Sequence, residues 1–237
     1  MESEVLMTNE EIKAFLISWQ DEEYRNFNSR LIPNVNKETI IGVRVPVIRK
    51  FAKQLVRENN YASFLKDLPH SLFEENCLHS LIVSELNDPT QVIECLNDFL
   101  PYVDNWAVCD IISPRVFIKN KTELLKQIHI WLKSKHTYAL RYAIGALMQY
   151  FLDDDFKDEY LDLVVNVKSD EYYVNMMRAW YFATAVAKQY NSTIRVFESG
   201  AIDEWTHNKA IQKSSESFRV SSDHKAYLKS LKRKQSL

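Results

Sequence analysis

The run Asp104-Asn105-Trp106-Ala107-Val108-Cys109-Asp110 decides how the rest of this 237-residue chain is read. Written as a helix, it places Trp106 and Asp110 four residues apart on one face, so that a large aromatic plate and a carboxylate point the same way. Arg141 follows Trp106 after 35 residues and Trp180 follows Arg141 after 39, each inside its own apolar-periodic segment. A period of about 40 residues is that of a HEAT-type helical hairpin, and in such arrays successive second helices line a concave surface. The spacing predicts an α-solenoid in which Trp106, Asp110, Arg141 and Trp180 converge, one helix after another, on a single site.

Composition points the same way. Only 3 Gly and 6 Pro occur in the whole chain, too few for the tight turns that a sandwich, a barrel or a Rossmann sheet requires. The expected class is all-α, with one HEAT-like repeat domain over residues 1–237 and a tail that frays from about Lys232. Cys77, Cys95 and Cys109 are odd in number and form no Cys/His ligand pattern, so they read as small buried hydrophobes in a reducing compartment. No stretch resembles a signal peptide, and no apolar run approaches the roughly 20 residues needed to cross a bilayer. A cytoplasmic protein is expected.

Local signals divide the chain into roughly a dozen helices. Thr8-Asn9-Glu10-Glu11 and Ser71-Leu72-Phe73-Glu74 read as capping boxes, Asp88-Pro89 as a cap followed by a first-turn proline, and Asp104 as the cap of the Trp106 helix. In Gly42-Val43-Arg44-Val45-Pro46, Gly42 permits a turn and Pro46 starts a helix, which leaves Arg44 in the connection and Arg49 in the first helical turn. Arginines at a turn and a helix start suit phosphates, and they are also ordinary surface residues. The acids Asp153, Asp154, Asp155, Asp158 and Glu159 read as a helix N-terminus favoured by the dipole rather than a metal site. Tyr172, Tyr173, Trp180 and Tyr181 form an aromatic stripe that is mostly core by default. No Gly-rich phosphate loop, GxSxG elbow or HExxH motif occurs, and neither metal nor cofactor is expected.

The formal charge of −2 conceals an asymmetry. Residues 1–118 hold 11 Lys/Arg against 18 Asp/Glu, a net −7, whereas residues 119–237 hold 19 against 14, a net +5. From Trp205 onward there are 8 basic residues and 2 acidic ones. A one-sided basic stripe suits a polyanion, and a solvated helix face is the alternative.

Taken together, the helical hairpins, the Gly42-Val43-Arg44-Val45-Pro46-Val47-Ile48-Arg49 turn, the Trp106-x-x-x-Asp110 helix, Arg141 and Trp180 resemble the AlkD-type DNA alkylation repair glycosylases, which are built from HEAT-like repeats. The resemblance runs from about Glu22 to Lys213. It implies a concave basic groove around duplex DNA and hydrolysis of the N-glycosidic bond of purines alkylated at N3 or N7, the 3-methyladenine and 7-methylguanine class. It implies, further, that Asp110 is the catalytic carboxylate, that Trp106 and Trp180 are aromatic walls against the lesion's deoxyribose, and that Arg141 lies near the DNA backbone. Arg44, Arg49, Lys209 and Lys213 are the implied DNA contacts. The protein would act as a cytoplasmic, bacterial-type monomer associated with the nucleoid. Two positions depart from the family pattern: Asn105 precedes Trp106 where a second aromatic is usual, and Ile48 stands beside Arg49 where another basic residue is common. A non-catalytic HEAT scaffold that binds DNA structures or a protein is the alternative function, because fold does not decide activity.

The chemistry suits so sparse a site. Glycosidic cleavage develops an oxocarbenium-like sugar, and an alkylated purine already carries positive charge, so its departure needs no general acid. One carboxylate can stabilise the cation and orient water, and indole faces favour a cation through their quadrupoles.

Overall fold

The computed structural model describes residues 7–234, and every regular element among them is helical, the all-α class that the sequence predicts. The chain forms two compact units, residues 1–124 and 125–237. The first contains α1 (Asn9–Ser18), α2 (Glu22–Leu31), α3 (Val45–Arg57), α4 (Ala62–Lys66), α5 (Phe73–Glu85), α6 (Pro89–Phe99) and α7 (Trp106–Asp110). Helix α8 (Lys121–Trp131) spans the boundary in sequence. The second unit contains α9 (Thr137–Tyr150), α10 (Asp158–Val165), α11 (Tyr172–Lys188), α12 (Tyr190–Glu198), α13 (Glu204–Glu216) and α14 (Ser222–Ser230). No helix among the described residues is long and apolar enough to cross a membrane.

The first unit is built around α5. Apart from Asn76, every residue from Phe73 to Ser84 is buried, the mark of a helix covered by neighbours on all faces; α3, α6 and α7 pack against it. Its start corrects the expected capping box by one residue. Glu75, not Glu74, reaches back to accept from the Ser71 and Leu72 amides at 3.1 and 2.8 Å. Glu74 turns inward instead. Its carboxylate accepts from the amides of Ile41, Gly42 and Val43, the shortest of these bonds being 2.7 Å from Gly42. Burial pushes the Glu74 carboxyl up, against the opposing pull of those amides.

This anchored turn explains Gly42. With φ at 86° it lies in the left-handed region, and a Cβ there would overlap the Asp21 carbonyl oxygen, so no other residue fits. Asp21 caps α2 through the Tyr24 amide at 2.9 Å, and the turn delivers the chain to α3 with Arg44 as its N-cap residue.

In the second unit α11 is the central helix, with α9, α12 and α13 packed on it and Tyr181, Phe182 and Val186 in the core. It ends at Lys188. Gln189 leaves helical geometry (φ −135°, ψ 54°), while its side chain donates to the Leu152 carbonyl at 3.0 Å. The acids after α9 act mainly through pairing. Asp158 and Glu159 do occupy the first turn of α10, but Asp153 pairs with Lys188 at 2.8 Å and Asp158 with Arg195 at 2.7 Å. No cluster of three or more His, Cys, Asp or Glu that could hold a metal occurs among the described residues. Order extends past Lys232, where fraying was expected to begin: the backbone of Arg233 exchanges two hydrogen bonds with Asn208, each 3.0 Å. The remainder of the expected frayed tail, residues 235–237, lies outside the described residues.

Candidate active site and nucleic-acid contacts

Helix α7 carries Trp106 and Asp110 and is only five residues long. Nucleation makes so short a helix unfavourable alone, so its neighbours must hold it. Asn105, rather than the expected Asp104, is the cap: its Oδ1 accepts from the Val108 amide at 3.0 Å, while its side-chain amide donates to Asp104 at 2.8 Å. The position where the family places a second aromatic is thus a fully buried cap, a job for which asparagine is well suited.

Two serines of α5 complete the fastening. Ser80 Oγ donates to the Val108 carbonyl at 3.1 Å, and Ser84 Oγ accepts from the Ser113 amide at 2.8 Å. Asn34 donates to the Asp104 carbonyl at 2.6 Å. Val108 and Cys109 point into the core, which turns the opposite face of the helix outward. Trp106 is half-buried there, its indole N–H donating to the Leu31 carbonyl at 3.1 Å, which fixes the ring plane; Asp110 is exposed. The helix thus carries a rigidly held indole and a solvent-accessible carboxylate.

In the second unit Arg141 and Trp180 meet. The Arg141 guanidinium is 1% exposed, donates to the Tyr173 carbonyl at 2.6 Å and lies 5.4 Å from the centre of the Trp180 ring. Such depth makes Arg141 a support for Trp180 and for the start of α11. Trp180 is half-buried and lines a cavity of about 300 Å³ with Met148, Thr184, Lys213 and Arg219 among its other walls. Lys213 therefore shares a cavity with a proposed aromatic wall, and its ammonium also pairs with Glu216 at 2.9 Å.

The other basic residues are surface groups. Arg44 is 60% exposed, pairs with Asp21 at 2.9 Å and lies 4.9 Å from the centre of the Tyr24 ring. Arg49 is exposed on α3. Lys209 donates to Gln212 and lies 5.6 Å from the Trp205 ring centre.

Sequence reasoning missed the supports more than the candidate groups. Asn105 carried a legible signal, a cap residue directly before the helix. Ser80, Ser84 and Glu74 carried none, because their partners are backbone groups distant in sequence. Arg178 was also missed. It is 1% exposed, and its Nη1 donates to Asp203 at 2.6 Å, Asn175 at 2.9 Å and Thr206 at 3.3 Å. Desolvation pushes the Asp203 carboxyl up, but the Thr206 amide and the Arg178 guanidinium more than offset it and hold it below the usual range.

An all-helical chain with a short, rigidly held Trp/Asp helix in one unit and a tryptophan-walled cationic cavity in the other is the class of protein defined here. Residues 12–213 match the family described as DNA alkylation repair enzyme, and the chain belongs to that family. Membership carries a role in DNA repair and, with it, DNA binding. A comparison with curated proteins returned no match.

Proposed function

We propose that this protein is a DNA glycosylase that hydrolyses the N-glycosidic bond of N3- or N7-alkylated purines in duplex DNA. The observation that carries the reading is α7, whose five residues are fastened at Asn105, Val108 and Ser113 and present a fixed indole and an exposed carboxylate. Asp110 stabilises positive charge on the sugar and orients the attacking water, and the Trp106 and Trp180 indoles favour the cation. Arg141 positions Trp180. Arg44, Arg49, Lys209 and Lys213 hold phosphates. The purine, cationic already, leaves without a general acid, so a site with one carboxylate is sufficient.

The test is single-turnover release of alkylated base, in excess chelator, with DNA binding measured in parallel. Wild-type protein releases base and leaves an abasic site. Asp110→Asn keeps shape and hydrogen-bonding capacity but deletes the charge, and the rate falls about 10²–10³-fold, roughly 3–4 kcal/mol, with affinity nearly unchanged. No release by wild type overturns the enzymatic reading in favour of a DNA- or protein-binding scaffold. An Asp110→Asn protein as fast as wild type removes Asp110 from its role.

A further inference from the structure

The aromatic stripe at the start of α11 does not end in the core. Tyr172 is 55% exposed, and Trp205, at the start of α13, is 39% exposed. Their rings meet edge to face, 5.6 Å between centroids at 68°, and Tyr173 continues the set against Tyr172 at 5.3 Å and 81°. Trp205 also walls a cavity of about 490 Å³, lined otherwise by Glu204, Asn208, Lys209, Gln212, Lys232 and Arg233. Three of these residues are cationic and one is acidic. Its volume lies within the roughly 300–1,000 Å³ of ordinary small-molecule sites.

Two further details mark the place as more than surface. Lys209 sits over the Trp205 ring, so cation and aromatic are already paired. Arg233 is fixed by the Ile202 carbonyl at 2.8 Å and by Asn208, which leaves its Nη2 buried with no hydrogen-bond partner. Its guanidinium charge stays beside the cavity that it lines.

We propose that Tyr172, Trp205 and the cationic cavity beside them form a second nucleic-acid site, which takes an unpaired nucleotide of DNA. The base stacks in the corner between the two rings, and its phosphate lies against Lys209, Lys232 and Arg233. Cations alone suffice for a duplex backbone. Exposed aromatics next to cations are the equipment of single-strand binding, because every base has a π-face whereas duplex bases offer none. The inference rests on the DNA-binding role of the family and not on the glycosylase assignment.

The experiment measures affinity for a short oligothymidylate and for a blunt, lesion-free duplex at low salt, with thermal melting of each variant as a check on folding. Trp205→Ala and Tyr172→Ala lower oligothymidylate affinity roughly 5- to 150-fold, the span of one stacked base, and change duplex affinity much less. Trp205→Phe keeps most of the binding, and Lys209→Ala weakens both ligands. Oligothymidylate affinity unchanged in Trp205→Ala, or an equal loss for both ligands in a folded variant, overturns the proposal. Trp205-dependent single-strand binding by a wild-type protein that releases no alkylated base would sink the glycosylase reading and leave this one standing; the converse result would do the reverse.

Discussion

Helices α5 and α11 are both covered by neighbours on most faces, yet the polar groups they bury are of different kinds. Helix α5 buries Glu74, Glu75, His79, Ser80 and Ser84, whereas α11 buries Arg178. Three of the α5 groups act on backbone: Glu74 gathers three amides of the Gly42 turn, and Ser80 and Ser84 hold α7 and the segment after it. Arg178 acts mainly on side chains: its Nη1 fastens the start of α13, which carries Trp205, Lys209 and Lys213, while its Nε donates to the Val164 carbonyl at 3.4 Å. In both units, then, buried polarity positions exposed chemistry. The sign follows the surroundings: residues 1–124 hold 13 Lys/Arg and 19 Asp/Glu, and residues 125–237 hold 17 and 13. The acidic unit contributes the proposed catalytic carboxylate, and the proposed phosphate contacts divide evenly, Arg44 and Arg49 in the first unit and Lys209 and Lys213 in the second.

The sharpest way to break this comparison is at Arg178. Removing one partner of a buried pair strands the other and leaves donors and acceptors unsatisfied. Asp203 is half-exposed and keeps the Thr206 amide at 2.8 Å, which places the cost at the lower end. Arg178→Met is expected to lose about 3 kcal/mol in chemical denaturation. A loss below about 1 kcal/mol would show that α13 is held by its apolar contacts alone.

A smaller effect is expected at Asn105. Asn105→Ala deletes the cap of α7 and costs about 1 kcal/mol of stability. Its effect on base release should exceed that share, because α7 must stay helical for Trp106 and Asp110 to share a face. Asn105→Ser, which keeps an acceptor for the Val108 amide and sets no second carboxylate beside Asp104, should restore most of the rate. If Asn105→Ala is as active as wild type, the cap is irrelevant to the chemistry.

The contrast between candidates and supports also explains what the sequence could reveal. Helices α1 and α6 begin where the Thr8 capping box and Asp88-Pro89 place them, since those signals lie within a turn of the boundary they set. Helix α4 was missed because its five residues carry no cap bond. The choice of Glu74 over Glu75 at α5 went wrong for a different reason: both carboxylates can reach a helix start, and only the distant Gly42 turn decides which one turns inward. Trp106 and Asp110 were legible as an i, i+4 pair. The burial of Arg141 was not, because charge suggests surface until a carbonyl such as that of Tyr173 is in view.

Acidification tests the first unit by another route. His70 and His79 hydrogen-bond at 2.9 Å, with His70 stacked on Phe64 and His79 on Phe99. Burial pulls the His79 pKa well below its ordinary value, aided by His70. Burial lowers His70 too, with Glu75 and Asp67 pulling the other way. The folded state therefore resists protonation while the unfolded chain takes up protons near its ordinary value, so stability falls as pH drops below about 6.5. Asp203 has a depressed pKa and loses its contribution only below the carboxylate range. The raised Glu74 acts in the opposite sense, its contribution being lost as pH rises. Burial also lowers His136 and His207 in the second unit, and these leave a remainder. His79→Gln should thus be less stable near neutrality yet lose less between about pH 7 and about pH 5.5 than wild type. Equal losses in denaturant titrations at both pH values would remove the His70–His79 pair as the cause.

The smallest effect concerns how each unit holds its proposed phosphate-binding cations. Arg44 is paired with Asp21, and Lys213 with Glu216, both on the surface. A phosphate must compete with these carboxylates, but the competition is weak because exposed pairs are well screened. Arg44→Ala and Lys213→Ala are each expected to reduce the slope of log affinity against log salt by about 0.9, the contribution of one neutralised phosphate. Asp21→Asn is the informative counterpart. Asparagine retains an oxygen for the Tyr24 amide and so keeps α2 capped, while the negative charge beside Arg44 disappears. Affinity for lesion-free duplex should rise slightly in Asp21→Asn, most visibly at low salt, and the gain should vanish when Arg44→Ala is added. A gain that survives in the double variant would mean that Asp21 repels DNA directly and that Arg44 is not a phosphate contact.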